Sequence, residues 1–289
     1  MRLDEWHDKG QWLDICGFRL FVVDEGDADQ ETLLLIHGFP TASWDWHKLW
    51  PDLRKTYRVV ALDMLGFGYS DKPAKHRYSI HEQADLVEGV VKQLGLKRFH
   101  VLAHDYGDTV AQELLARQTN GEGIGQWQSV CFLNGGLFPE THRALLTQKI
   151  LLSPLGAVFN KLSSKRHFDR AMTRVFGPNT APAPEELADF WALICHDNGK
   201  QVFHKLITYM NDRKQHRERW VDALRHASIP IALINGSADP VSGAHMVARY
   251  QELDLPLAYL GELEGIGHYP QIEAASEVYR HYFRFQANR

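Results

Sequence analysis

The segment FHVLAHDYGDTVAQELLAR, residues 99 to 117, runs from an apolar stretch into Ala103-His104-Asp105-Tyr106-Gly107 and directly on into a helical pattern. This is the outline of a nucleophile elbow, a sharp strand-to-helix turn that presents an attacking side chain. Its centre is Asp105 where a serine is usual, and Ala103 stands for the first glycine. Two readings follow: a serine hydrolase that has lost its nucleophile, or an enzyme built to attack with a carboxylate. A serine must lose a proton before it attacks, whereas a carboxylate is already ionised at neutral pH. Near the N-terminus of the next helix, whose dipole favours an anion, Asp105 would displace a leaving group from saturated carbon. It would then carry an alkyl ester on its own side chain.

Such a turn needs strands and helices to hold it. TLLLIHG (32–38), RVVALDMLG (58–66), FHVLAHD (99–105), SVCFLNGG (129–136), IPIALINGSAD (229–239) and PLAYLGELEG (256–265) read as strands, after a meander pair at 12–16 and 18–26. Helical stripes occupy 78–96, about 109–117 and 274–286. Continuous Val/Ile/Leu runs separated by helices imply a mainly parallel sheet covered on both faces. Residues 138–226 lack strand-like runs and read as a helical cap inserted between a first core part, 1–137, and a second, 227–289. In such sheets the ligand site lies beyond the carboxyl ends of the strands. His37, Asp63, Asp105, Asn134, Asp239 and His268 all fall at or just after strand ends.

Composition limits the partners. The 289 residues include 32 Lys+Arg against 36 Asp+Glu, a formal charge of −4, which argues against a general nucleic-acid or anionic-membrane surface. The three cysteines, Cys16, Cys131 and Cys195, are widely spaced and form no disulfide pattern. The polar start lacks a signal-peptide core, and no run is long and apolar enough to span a bilayer, so a cytoplasmic location is expected. The 16 histidines show no metal-ligand spacing, and neither metal nor cofactor is expected. The partner should be a small, apolar substrate; oligomeric state is not readable.

The ordered set His-Gly-Phe-Pro (37–40), DMLGFGYSDKP (63–73), His-Asp-Tyr-Gly (104–107), NGSADPVSG around Asp239 and GIGHYP around His268 resembles the α/β-hydrolase superfamily. Within it the sequence is similar to the epoxide hydrolase and haloalkane dehalogenase branch, which attacks with aspartate. FPETHRALLTQK (138–149) and VFGPNTAPAPEEL (175–187) further resemble the mesoderm-specific transcript family and its bacterial relatives, in the cap where hydrolases usually diverge. The implied catalytic residues are Asp105 as nucleophile, His268 as the base that activates water, and Asp239 as its orienting acid. Asn134 occupies the place where some dehalogenases carry that acid, but Asn is not ionised. The oxyanion of ester hydrolysis would be received by the backbone N–H groups of Phe39 and Tyr106.

Help for the leaving group separates the reactions. Dehalogenases usually supply a Trp after the nucleophile and an Asn partner; here Tyr106 and Phe39 stand there. Epoxide hydrolases use cap tyrosines, and Tyr209 is the only tyrosine between Phe138 and His226. The expectation is therefore an epoxide hydrolase-like enzyme with Tyr209 as leaving-group acid, with a haloalkane dehalogenase or a non-catalytic receptor or scaffold as alternatives. His37 and His104 read as structural residues that bond backbone, and Asp63 as a shaper of its loop. Trp191, His196, His204 and Trp220 are candidates for the cap side of the pocket.

Overall fold

The computed structural model describes residues 1–289. Eight strands form one sheet: β1 (Gly10–Ile15), β2 (Phe18–Glu25), β3 (Thr32–Ile36), β4 (Arg58–Leu62), β5 (Arg98–His104), β6 (Gln126–Leu133), β7 (Ile231–Gly236) and β8 (Tyr259–Leu263). Their spatial order is β1-β2-β4-β3-β5-β6-β7-β8. The first two pairings, β1 with β2 and β2 with β4, are antiparallel; the rest are parallel.

The parallel strands read as unbroken apolar runs because both of their faces are covered. Along β3, Leu34 and Ile36 enter one core while Leu33 and Leu35 enter the other. The same alternation splits Val60 and Leu62 from Val59 and Ala61 on β4, as the two-residue period of a strand requires. Each such fully buried branched side chain contributes on the order of 1.5–3 kcal/mol. The helices Ile80–Gln93 and Tyr106–Thr119 cover one face. The C-terminal helix Ala275–Ala287 covers the other, through Val278, Tyr282 and Phe285. Ser79 caps the helix Ile80–Gln93 by accepting the Glu82 N–H at 3.2 Å, which explains its sharp start. An N-terminal helix, Leu3–Lys9, was not legible as a periodic stripe; it is pinned by the one fully buried residue Trp6.

The sheet order reverses between β3 and β5, and the ends of β3, β5, β6, β7 and β8 open on one edge. Between β6 and β7 the chain forms helices only, from Leu146 to Arg225, and no strand. No helix is long and apolar enough to cross a membrane.

Candidate active site

The elbow is a one-residue turn. β5 ends at His104 and the next helix starts at Tyr106, leaving Asp105 with φ 49° and ψ −106°. A non-glycine residue held there costs about 1–3 kcal/mol and persists only because its surroundings over-determine it. Part of that constraint is Gly107: a Cβ there would run into the Ile36 carbonyl at the end of β3. Glycine thus lets the helix pack directly against the strand. From the other side, a methyl on Gly38 would stand 2.6 Å from His104 Nδ1, so the loop after β3 closes tightly over the elbow.

The loops after β7 and β8 bring Asp239 and His268 to the same place. His268 Nδ1–H donates to Asp239 Oδ2 at 2.7 Å, which turns Nε2 toward Asp105, 3.8 Å from Oδ1. The second distance is a charge contact, longer than a hydrogen bond. Asp105 is 4% exposed, Asp239 3% and His268 5%, so water screens these charges weakly. Burial works against the charge on His268, but Asp239 and Asp105 outweigh it and raise its pKa well above the ordinary range. Burial likewise pushes the Asp105 carboxyl up, yet His268, assisted by Arg213, holds it below the usual carboxylate range. Asp239 is lowered too, against burial, by His268 and by its own donors. Those donors are the backbone N–H of Val241 at 2.7 Å, Ser242 N–H at 3.1 Å, the Ser242 hydroxyl at 2.8 Å and the Asn134 amide at 3.1 Å. Each of the three groups thus favours its charged form through the other two.

The Phe39 N–H donates to Asp105 Oδ2 at 3.1 Å, and Tyr106 supplies the first N–H of the helix that follows. The flanking histidines bond backbone. His37 donates from Nδ1 to the Gly38 carbonyl at 2.8 Å and accepts the Met64 N–H on Nε2 at 3.1 Å. His104 donates from Nε2 to the His268 carbonyl at 2.7 Å; burial drives its pKa down to about 3, so it stays neutral. Asp63 accepts the N–H groups of Ser43 and Tyr69, both at 2.7 Å, and so shapes the loop beside the site.

A cavity of about 120 Å³ opens above His268, Phe39 and Tyr269. It holds several water-sized occupants or one small substrate. The helices Leu146–Leu152, Gly156–Leu162 and Lys165–Thr173 contribute Leu151, Phe159, Phe168, Ala171 and Met172 to its apolar wall. Of the expected cap residues only Trp191 lines it. Trp220 is buried on the far side, donating to Glu113 at 2.9 Å, because its helix packs on Tyr106–Thr119. His196 packs edge-on against Tyr69, and His204 likewise lies off the cavity. Tyr209 is 1% exposed, outside the cavity lining, with its ring 4.8 Å from that of Tyr106 and 6.5 Å from that of Phe39. Its hydroxyl has no hydrogen-bond partner. Burial and the Asp105 charge raise its pKa.

A profile described as the alpha/beta hydrolase fold matches residues 31–121. The mesoderm-specific transcript homolog protein of Bos taurus is 45% identical over 280 residues, spanning 94% of this chain and 84% of that protein. The chain belongs to the α/β-hydrolase family. Within that family, LipZ of Mycobacterium tuberculosis is 40% identical over 93% of each chain. Among solved structures, a haloalkane dehalogenase loop variant from Bradyrhizobium elkanii superposes with a TM-score of 0.80 at 20% identity, over 96% of this chain and 97% of the other. The epoxide hydrolase CorEH superposes at 0.76 and 21%, over 96% and 98%. At those identities the superpositions speak for the fold alone.

Around the elbow, the roles of four residues escape sequence reading. Asn134, with φ 41°, stitches β6 to β7: it accepts the Gly236 N–H at 2.7 Å, and its amide reaches both the Gly236 carbonyl and Asp239. Ser242 ties the same carboxylate to the Asn134 backbone. Arg213 is 1% exposed with no carboxylate within 4 Å; it donates to Thr109 Oγ1 at 2.7 Å and to His142 Nδ1 at 3.2 Å, and lies 4.8 Å over the Tyr209 ring. Nearby Asp108 is fully buried with neither carboxyl oxygen partnered, and burial raises its pKa well above the ordinary value. The one legible signal was the Tyr209-to-Arg213 spacing of four, which puts both on one helical face.

Proposed function

We propose that this hydrolase acts on a small apolar epoxide through an alkyl ester on Asp105, beneath a cap formed by residues 138–226. The observation that carries the reading is an ionised carboxylate at the elbow facing an imidazole held by Asp239. Asp105 attacks a ring carbon, the C–O bond breaks, and the oxygen leaves as an alkoxide. Tyr209 is the acid for it: its phenol has no other partner, and an alkoxide is far more basic than a phenol. Phe39 lines the cavity with its ring 6.5 Å from that of Tyr209, so on this reading the Phe39 ring turns aside when substrate meets the phenol.

Esterification then changes the electrostatics at the right moment. It removes the charge of Asp105, one of the two carboxylates that hold a proton on His268. The imidazolium gives up that proton, replenishing Tyr209, and becomes a base. It takes a proton from water, the hydroxide adds to the ester carbonyl, and the oxyanion is received by the Phe39 N–H, which already donates to Asp105 Oδ2, together with that of Tyr106. Collapse releases the diol, protonated by His268, and returns Asp105.

A halide would leave without needing an acid, but Tyr106 and Phe39 stand where the dehalogenase resemblance implies an indole and an amide. That is why the epoxide is preferred. Turnover in heavy-oxygen water tests the covalent route: label should enter the Asp105 carboxyl, and label confined to product would reject the ester. A panel of epoxides, haloalkanes and activated esters tests the substrate. Halide release without diol formation selects dehalogenation; no turnover of any class, with ligand binding retained, selects a receptor.

A further inference from the structure

The cap wall of the cavity has a second apolar side. On the helix Gly156–Leu162, Phe159, Asn160 and Ser163 at its C-terminal end line the cavity. The adjoining face carries Leu155, Val158 and Leu162, spaced three and four apart, which are 68%, 58% and 74% exposed. Leu146, on the helix Leu146–Leu152 packed beside it, is 72% exposed. Four of the seven exposed large apolar residues of the chain therefore sit on two neighbouring short helices. Single exposed leucines are ordinary, but a contiguous group marks a surface that meets something apolar.

Charge around this patch says what. Between positions 143 and 174 the chain has seven Lys and Arg and one acid, Asp169, which pairs with Lys165. Exposed Lys149, Lys161, Arg166 and Arg170 have no carboxylate within 4 Å. The overall charge of −4 averages over this local reversal. Leucines flanked by unpaired cations fit an interface of acyl chains beneath anionic headgroups.

We infer that the helices Leu146–Leu152 and Gly156–Leu162 dock the enzyme on an anionic phospholipid surface. Leu146, Leu155, Val158 and Leu162 enter the acyl boundary, and the surrounding lysines and arginines meet the phosphates. Because the same helices wall the cavity, an apolar substrate dissolved in the lipid passes into it without crossing bulk water. The docking surface does not depend on the reading of Asp105: Asp105→Asn should bind membranes as wild type does.

Flotation of the full chain with vesicles of phosphatidylcholine, or of equal parts phosphatidylcholine and phosphatidylglycerol, tests the inference. Binding to the anionic vesicles only, weakened by salt, is expected. The variant Leu155→Ser/Val158→Ser/Leu162→Ser should lose it. The variant Lys149→Glu/Lys161→Glu/Arg166→Glu, which alters only exposed positions, should bind at least about 100-fold more weakly. Matching circular dichroism spectra establish that each variant is folded. Absence of binding to both vesicle types, or wild-type binding by the charge variant, overturns the inference. A dimer in sedimentation velocity that the leucine variant abolishes, with no vesicle binding, overturns it in favour of a contact between two copies.

Discussion

His268 Nε2 stands 3.8 Å from Asp105 Oδ1, near enough to hold the carboxylate ionised and too far to bond to it directly. The gap suits a site in which water must reach the ester carbonyl and the imidazole together. Replacing the base should therefore divide the reaction. In His268→Gln, alkylation continues while hydrolysis slows by about 10³-fold. Intact-protein mass spectrometry after mixing with substrate should show a stable adduct one substrate heavier, mapped to Asp105. Loss of turnover with no adduct would place His268 before the covalent step.

The raised pKa of His268 and the lowered pKa values of Asp105 and Asp239 make stability depend on pH in a stated sense. The histidine's contribution is full below its unfolded value of about 6.5 and is lost as pH rises through the higher folded value. The carboxylates contribute above about pH 3.9 and lose it as pH falls through their depressed folded values. Thermal midpoints of wild type should exceed those of Asp239→Asn most between about pH 4 and 6.5. Removing one partner of this buried pair should cost about 3 kcal/mol. In kcat profiles the ascending limb of the variant should move to lower pH, since Asp239 no longer raises the pKa of the base. An unmoved limb would assign it to another group.

Tyr209→Phe separates chemistry from structure. The hydroxyl has no partner, so its removal should leave stability unchanged or raise it by up to about 1 kcal/mol. Turnover of epoxides should nevertheless fall by about 10²-fold or more, as expected for loss of a general acid. Haloalkanes and activated esters need no such acid and should be spared. Equal loss for all substrates would make Tyr209 a packing residue.

Gly107→Ala tests whether the elbow depends on close approach. The added methyl meets the Ile36 carbonyl, which belongs to the sheet and has little freedom to retreat. Destabilisation of about 1–3 kcal/mol is expected in urea titrations, with a larger relative loss of kcat because the helix N-terminus beside Asp105 shifts. A variant as stable as wild type would show that the turn relaxes more freely than this packing allows.

Much of the architecture was legible because it is written in local periodicity. The parallel strands read as unbroken Val/Ile/Leu runs since both faces are buried, and the elbow shows itself by an acidic residue and a glycine placed between such a run and a helix. Strand ends read from the sequence run two to four residues too long at β3, β4 and β7, where apolar or small residues continue into the loops beyond the last paired position. The segment between β6 and β7 was legible as helical, but its inward faces were not: Trp220 and Trp191 look alike in a stripe, and only packing sends one to Glu113 and the other to the cavity.

The order of residues by itself determined the kind of sheet, the place of the turn and the chemistry available at Asp105, because these depend on side-chain type and on spacings of two and of three to four. Only the tertiary structure decided that Asn134 braces Asp239, and that Arg213 lies buried behind the site without a carboxylate. Those relations join residues more than 20 positions apart across loops after different strands. Their distances are set by how the loops at the sheet edge and the helices between β6 and β7 pack together, which no local pattern records.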